Sequence, residues 1–296
     1  GGSPSTGLEL ITEGGNNGWR LVGADANNHG NIGSHAVDIS YAPSTSATNG
    51  ATGDYATAMG EITTASGDYA TAMGAYTDAS GSYSTAIGNS NSASGIYSTA
   101  MGRGTEASED NATAMGYQTT ASGNSSTAMG ASTVASGSAS TAIGAQTEAS
   151  GFHSTAMGSY NVASGDYSTA TGVSNTASGI VATAIGHMNN ASGQNATVMG
   201  SNNEASGDYS TTMGRYNTAK SAYETVIGRY NTDYTPNSAT AWDYSDRLFV
   251  VANGTSNTSR NDALVITKDG NATLDGTITA TAFVGDGSGL SGVAGG

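Results

Sequence analysis

The chain contains no cysteine, which excludes a disulfide framework and a thiolate metal site. Large apolar residues are also scarce, with 3 phenylalanines and 2 tryptophans among 296 residues. No apolar run approaches the roughly 18 residues of a membrane-spanning helix, so we do not expect the segment itself to span a membrane. A conventional core of leucine and phenylalanine is therefore not available to this chain.

Basic residues are few as well. Eight lysines and arginines stand against 23 aspartates and glutamates, which gives a formal net charge of −15. A nucleic-acid partner requires clustered positive charge, so we predict none. An acidic surface is typical of a soluble object outside a cell, and we predict an extracellular location.

Residues that commonly carry chemistry are present but scattered. The 4 histidines occupy unrelated positions and form no H-E-x-x-H pair, and no G-x-S-x-G elbow exists. A G-x-G-x-x-G pattern at 287–292 is followed by no predicted helix, and with 44 glycines such a match arises easily. We predict that the chain is not an enzyme and has no cofactor and no metal site.

Glycine is abundant instead, and it is regularly spaced. Glycines recur 14 residues apart from Gly60 to Gly228 and divide residues 51–232 into thirteen units. Each unit approximates A-S-G-x-Y-S-T-A-M-G-x-x-[TN]-x, and a second glycine divides it in half except where Glu109 and Ser221 stand. A disordered chain does not keep such a register, so the repeat predicts a folded, repetitive structure.

The unit length predicts one coil of a β-solenoid. Glycine every seven residues breaks helices and leaves room for strands of about four or five residues. Each unit is then strand–turn–strand–turn, and thirteen coils stacked about 4.8 Å apart give an all-β rod of roughly 60 Å. In the strand 55–59, Ala56 and Ala58 share one face, and we expect these small residues to line a narrow interior. Thr63 and Ala65 should also point inward, where stacked Thr or Asn would satisfy turn amides.

The opposite face of the first strand carries the larger apolar side chains. Eight of the nine methionines and four isoleucines occupy the same position of the repeat unit as Met59. We name such a set of equivalent positions, 14 residues apart, a register. A narrow coil has no room for them, and an uncovered column would promote aggregation, so we predict a homo-oligomer along this face, flanked by the tyrosines of the Tyr55 register. The predicted interface residues are Thr57, Met59, Thr71, Met73, Ile87, Met101, Met115, Met129, Ile143, Met157, Ile185, Met199, Met213 and Ile227.

The unit resembles the head repeat of trimeric autotransporter adhesins, the YadA-like head. The similarity rests on Tyr83-Ser84-Thr85-Ala86-Ile87-Gly88 followed by Ala93-Ser94-Gly95, where that family has N-S-V-A-I-G and then A-S-G, and it extends over residues 51–232. The resemblance implies a left-handed parallel β-roll, assembled as a homotrimer, that carries adhesion at a bacterial surface. Similar heads are also used in phage and bacterial fibres, so the resemblance implies a location at the cell surface or in a fibre or virion. Thr-Ala-Met replaces the family's frequent Val-Ala-Ile, so the trimer core should be more polar.

Both ends of the chain lack the period. Residues 1–50 contain three short predicted strands, which would form a β cap over one open end of the solenoid: Leu8–Thr12, Trp19–Val22 and Ala36–Ser40.

Residues 233–284 are predicted to form a small β module that resembles connectors of bacterial and phage fibre proteins. Arg247–Val251 reads as an apolar strand, and Lys268–Asn271 as the turn of a hairpin between Ala263–Thr267 and Ala272–Leu274. Residues 285–296 are interpreted as a glycine-rich joint.

The outward positions of the second predicted strand vary most along the rod. The Ile62 register carries Tyr76, Tyr160, Tyr216 and Tyr230, which we take as a possible ligand face because exposed tyrosines stack on sugars or dock on proteins; the alternative is a solvated surface. The favoured hypothesis is a trimeric adhesin or fibre segment that attaches to a host or prey cell surface, a glycan or a matrix protein. The alternative is a passive rod that presents a separate tip domain. An ice-binding solenoid is less favoured, because the Thr57 column shares its face with Met59.

Overall fold

Each repeat unit folds as one coil with two strands of unequal length. In the computed structural model, which describes residues 7–279 and 281, the unit around Tyr76 has a five-residue strand, Thr71–Ala75, and a two-residue strand, Asp78–Ala79. Successive coils pair in parallel and in register, so that Thr71 lies opposite Thr85. The predicted all-β parallel solenoid of 14-residue coils is confirmed. The prediction of four or five residues for the second strand is wrong, because the corners of the narrow coil use the remaining residues.

The chain enters the solenoid through three strands and one short 3₁₀ helix. Strands β1 (Leu8–Glu13) and β2 (Asn16–Leu21) form an antiparallel hairpin, and the 3₁₀ helix Ala26–Asn28 leads towards β3 (Val37–Tyr41). Strand β3 pairs in parallel with β2 and with the first long strand of the repeats. Strands therefore exist at all three predicted segments, and they extend the long sheet.

The repeats supply two parallel sheets, each with one strand per coil. The long strands are β5 (Thr57–Glu61), β7 (Thr71–Ala75), β9 (Thr85–Asn89), β11 (Thr99–Arg103), β13 (Thr113–Tyr117), β15 (Thr127–Ala131), β17 (Thr141–Ala145), β19 (Thr155–Ser159), β21 (Thr169–Val173), β23 (Thr183–His187), β25 (Thr197–Ser201), β27 (Thr211–Arg215) and β29 (Thr225–Arg229). The short strands are β4 (Gly50–Ala51), β6 (Thr64–Ala65), β8 (Asp78–Ala79), β10 (Ser92–Ala93), β12 (Glu106–Ala107), β14 (Thr120–Ala121), β16 (Val134–Ala135), β18 (Glu148–Ala149), β20 (Val162–Ala163), β22 (Thr176–Ala177), β24 (Asn190–Ala191), β26 (Glu204–Ala205) and β28 (Thr218–Ala219).

A three-stranded extension follows the last coil. Strand β30 (Arg247–Asn253) pairs in parallel with β29, and β31 (Asp262–Thr267) and β32 (Ala272–Leu274) continue the sheet in antiparallel fashion. The amide of Thr267 donates to the carbonyl of Asn271 across the predicted hairpin turn. The predicted glycine-rich joint, with its G-x-G-x-x-G pattern, lies outside the described residues.

The interior of the coil is built from alanine. Ala58, Ala65 and Ala70 are each 0% exposed, and the same registers stay buried from coil to coil. The two sheets lie back to back, so the inward positions of the long strands hold small side chains, of which Val198 and Val226 are the largest. Strand alternation therefore assigned the inward columns correctly.

Glycine allows the coils to approach this closely. Gly74 has φ +123°, which favours glycine, and a Cβ added to it would lie 2.0 Å from the carbonyl oxygen of Gly88 in the next coil. The second glycine of the unit meets the same obstacle, since a Cβ on Gly67 would lie 2.1 Å from the oxygen of Gly81. The first glycine column is thus required by contact between neighbouring backbones, whereas Glu109 and Ser221 replace glycine in the second column.

The corners of the coil have left-handed backbone at residues other than glycine. Tyr55 has φ 58° and Tyr76 has φ 56°. Every other non-glycine residue with positive φ in the described chain belongs to one of their two registers, except His35 in the N-terminal segment. The strand position assigned to Tyr55 is therefore wrong, as is the assignment of the Ile62 register to the second strand. A single left-handed residue reverses the chain within a narrow corner, and the strands begin after it.

The inward Thr63 column separates into two kinds of unit. Seven units carry asparagine there. In one of them, Asn189 donates from Nδ2 to the carbonyls of Ile185 and Gly200, at 2.8 Å each. Its Oδ1 accepts from the backbone amide of Asn203 at 3.1 Å. The other six carry threonine, whose buried hydroxyls have no hydrogen-bond partner among the described residues. The expectation that this column satisfies turn groups is confirmed for asparagine and wrong for threonine.

A buried carboxylate closes the last short strand. In the preceding coil, the amides of Ser206 and Gly207 donate to the carbonyl of Ala219. One coil later no such carbonyl follows, and the amides of Lys220 and Ser221 donate to Oε2 of Glu224 at 2.9 and 3.0 Å. The other oxygen, Oε1, is buried without a partner, and burial raises the pKa of Glu224. The Glu224 carboxylate thus replaces the backbone carbonyl that a further coil would supply.

We expect Asn189→Ala to lower the free energy of unfolding by about 3 kcal/mol, because it removes several buried hydrogen bonds. The matched change Thr119→Ala removes an unpartnered hydroxyl and a methyl group in the same column and should cost only about 1 kcal/mol. Urea unfolding at one fixed chain concentration measures both, and equal losses would contradict the role of the asparagine column.

Val181 is a β-branched residue in a left-handed corner, with φ 59°. Val181→Asn should raise the free energy of unfolding by about 1 kcal/mol, because asparagine tolerates this conformation better. The control is Val173→Asn on β21, where the side chain is similarly exposed and loss of a β-branched residue should reduce stability. The idea fails if thermal unfolding shows the two variants shifting in the same direction.

The raised pKa of Glu224 predicts a pH dependence of stability. A carboxyl whose pKa is higher in the folded state favours folding below its unfolded pKa of about 4.3, and this contribution is lost as the pH rises through the folded value. Relative to Glu224→Gln, the wild type should therefore lose stability as the pH rises above about 4.3. Unfolding curves at a series of pH values measure this difference, with Glu148→Gln on the exposed surface as the baseline for losing one carboxylate. The assignment of a raised pKa to Glu224 would be refuted if the free energy of unfolding of the wild type increased relative to that of Glu224→Gln as the pH rises.

Candidate interaction surface

The predicted interface residues all lie on the outward face of the long strands. Pairing places Met115 directly between Met101 and Met129, and the same register continues through every coil. In the single chain, Met59 is 36% and Met157 41% exposed, while the remaining members of the predicted set are half-buried or exposed. The coil does not bury these side chains, as predicted; their contact with another chain remains a prediction.

The apolar column continues beyond the repeats in both directions, which the periodicity did not reveal. Ile39 pairs with Met59 at one end, and Val251 pairs with Ile227 at the other. The column then passes through Leu264 to Leu274 in the C-terminal hairpin. The alternation of Val37 with Ile39 and of Phe249 with Val251 was the available signal, but these strands stand outside the 14-residue register.

A parallel column is formed by the Thr57 register and its extensions. Trp19 pairs with Val37, Val37 pairs with Thr57, and Phe249 pairs with Thr225. Trp19 is 44% exposed, although it is the largest side chain of the N-terminal segment. The outward face of the long sheet thus carries a column of methionine and isoleucine, interrupted at Thr171, beside a column of threonine that continues into Val37 and Phe249. We call this face the long-sheet face.

An aromatic ladder runs along one corner beside this face. His35, Tyr55, Tyr69, Tyr83 and Tyr97 stack with ring centroids 4.8 to 5.0 Å apart. Partial desolvation, followed by the nearby Tyr55, Tyr83, Asp68 and Asp54, raises the pKa of Tyr69. The ladder presents ring edges to solvent, since the ring faces are occupied by neighbours.

The four tyrosines of the predicted ligand face do not form one site. Tyr76 and Tyr160 stand six coils apart and are 53% and 57% exposed. Tyr216 and Tyr230 lie in adjacent coils and stack at 4.8 Å. Only this second pair is brought together, and its mutual stacking leaves less ring face for a ligand than the sequence indicated.

Beside Tyr216 the solenoid meets the C-terminal extension in a solvent-open cleft of about 380 Å³, which we call the junction cleft. Its floor carries Asn190, Glu204 and Thr218, the outward residues of three consecutive short strands. Its wall is the loop that holds Arg260. No periodic signal links this loop to the repeats, so sequence reasoning missed the cleft.

Comparison with protein families yields one match, the YadA head domain repeat. The family model matches nine stretches, which together cover more than half of the chain: 51–77, 79–105, 107–133, 121–147, 135–161, 149–175, 163–187, 177–203 and 191–217. The chain belongs to the YadA head family. The resemblance seen in the repeat unit is thereby confirmed, and no curated protein matches the chain.

The described residues of this YadA head include no group of three or more His, Cys, Asp or Glu side chains placed to hold a metal ion. None of the helices in residues 7–279 is long and apolar enough to cross a membrane. YadA head repeats are structural and adhesive elements.

Proposed function

We propose that this YadA head is a segment of a homotrimeric adhesin or fibre, exposed at a cell surface, that attaches to a cell, a glycan or a matrix protein. The observation that carries the proposal is the apolar column on the long-sheet face, which extends through every repeat except at Thr171. A column of this length exposed on a monomer would promote aggregation, and association with identical columns covers it. Three chains is the number that the family suggests.

The energetics favour such an assembly. Burying a methionine or isoleucine side chain contributes about 1.5–3 kcal/mol when it is complete. Twelve such residues share the Met59 register in each chain, and the end segments add Ile39, Val251 and Leu274. Even partial burial of this set opposes the entropy cost of association.

The short sheet supplies the surface that remains in water. Its outward positions change from coil to coil and include the exposed Glu106 and Glu148. These charges fit the chain's net charge of −15 and keep the assembled rod soluble. A variable, polar outer face around a repetitive apolar one is the arrangement expected of an adhesive rod.

The double change Met115→Asp with Met129→Asp should dissociate the assembly, because it places two carboxylates in each copy of the shared core without partners. The matched control is Thr120→Asp with Val134→Asp, which adds the same charge to the same part of the rod on the outward face of the short sheet. Analytical ultracentrifugation should find a trimer for the wild type and the control, and a smaller species for the Met variant.

A wild type that sediments as a stable monomer, or a Met variant that remains trimeric, would refute the interface.

Adhesion is tested separately, by measuring retention of the labelled assembly on cells and on immobilised glycans and matrix proteins. The passive rod is the second candidate, since thirteen coils follow one another without an insertion. Assembly without retention on any of these surfaces would favour the rod. The threonines of the Thr57 register lie beside Met59, which disfavours the ice-binding hypothesis.

A further inference from the structure

We propose that the junction cleft binds a short neutral oligosaccharide. This inference rests on the proposed adhesive function and names a ligand class and a site for it. The cleft lies at the C-terminal end of the solenoid, and its floor belongs to the short sheet, on the opposite side of the coil from the methionine column.

The floor of the cleft presents unused hydrogen-bonding groups. The side chains of Asn190, Glu204 and Thr218 make no hydrogen bond or ion pair with any described residue, although Glu204 and Thr218 are half-buried. They offer a carboxamide, a carboxylate and a hydroxyl on consecutive coils, about 4.8 Å apart. A row of both donors and acceptors at this spacing suits the several hydroxyl groups of a sugar.

The wall of the cleft is held rigidly. Arg260 donates from Nη1 to the carbonyls of Tyr216 and Asn231, at 3.0 Å each, and from Nη2 to Oδ1 of Asn257 at 2.9 Å. These bonds link the loop to two coils, so the cleft is preformed and a ligand need not order it. Arg260 is thus a positioning residue for the wall.

The charges of the cleft favour a neutral ligand. The guanidinium of Arg260 is already engaged by three oxygen acceptors, whereas the Glu204 carboxylate has no partner. The unpaired charge is therefore negative, and it lies on a chain with net charge −15. Anionic sugars would be repelled, while hydroxyl groups would donate to the carboxylate.

The remaining lining favours a sugar over a peptide. Met188 is 53% exposed at the corner and offers an apolar contact for the C–H face of a sugar ring. Strand β26 in the floor is paired on both sides, with β24 and β28, so an extended peptide finds no free strand edge to join. A volume of about 380 Å³ lies at the small end of ligand sites and suits a short oligosaccharide.

The test uses the assembled full chain on a printed panel of neutral and anionic oligosaccharides, followed by calorimetric titration with each free oligosaccharide retained. Glu204→Gln keeps the size of the side chain and should weaken binding of the neutral ligand at least tenfold. Glu148→Gln, in the same register of the short sheet but outside the cleft, should leave binding unchanged.

The outcomes separate this inference from the proposed function. A trimer that binds no oligosaccharide, binds only anionic ones, or binds equally well after Glu204→Gln overturns the cleft assignment and leaves the trimeric head standing. Competition by an unglycosylated peptide, lost on Glu204→Gln, would also overturn it, in favour of a protein ligand. A neutral ligand bound by a chain that sediments as a monomer would support the cleft and refute the trimer.

Discussion

The close approach of successive backbones is the constraint from which the rest of the structure follows. A Cβ on Gly74 or Gly67 would lie about 2 Å from a carbonyl oxygen of the next coil, so both positions remain glycine. A coil this tight leaves space inside only for alanine and similarly small residues. The larger apolar residues are therefore forced outward, where the single chain leaves them partly exposed. The need for a second surface to cover them originates in the glycine contacts.

The outward faces of the two sheets differ in how strictly their residues repeat. Self-association of identical rods requires the same side chain at the same height in every coil, and the long-sheet face has this repetition in the Met59 and Thr57 registers. The short sheet is under no such requirement, so Asp78, Val134 and Asn190 occupy equivalent positions on its outer face. On the long sheet, variation is limited to the last outward position of each strand, which holds Glu61, Tyr117 and Arg229 among others.

Alternation along a strand was sufficient to predict the inward alanines and the outward methionines, because the period of two holds within every long strand. The corners were misjudged because a left-handed conformation at Tyr76 or Val181 has no signature when the residue is not glycine. The continuation of the apolar column into Ile39 and Val251 depends on pairing between strands that the repeat does not align. The junction cleft depends on Arg260 reaching back to Tyr216, a contact between a repeat and a non-repeating loop.

Parallel stacking of identical residues in register is also the geometry of amyloid, in which each end of a fibril recruits another copy. The last short strand of this rod does not offer that template, because Glu224 and Asn231 already occupy its free amides. Glu224 is the one carboxylate in a register otherwise filled by alanine or serine. The short sheet is thus capped by side chains of its own last coil, while the long sheet continues into β30 and the C-terminal hairpin.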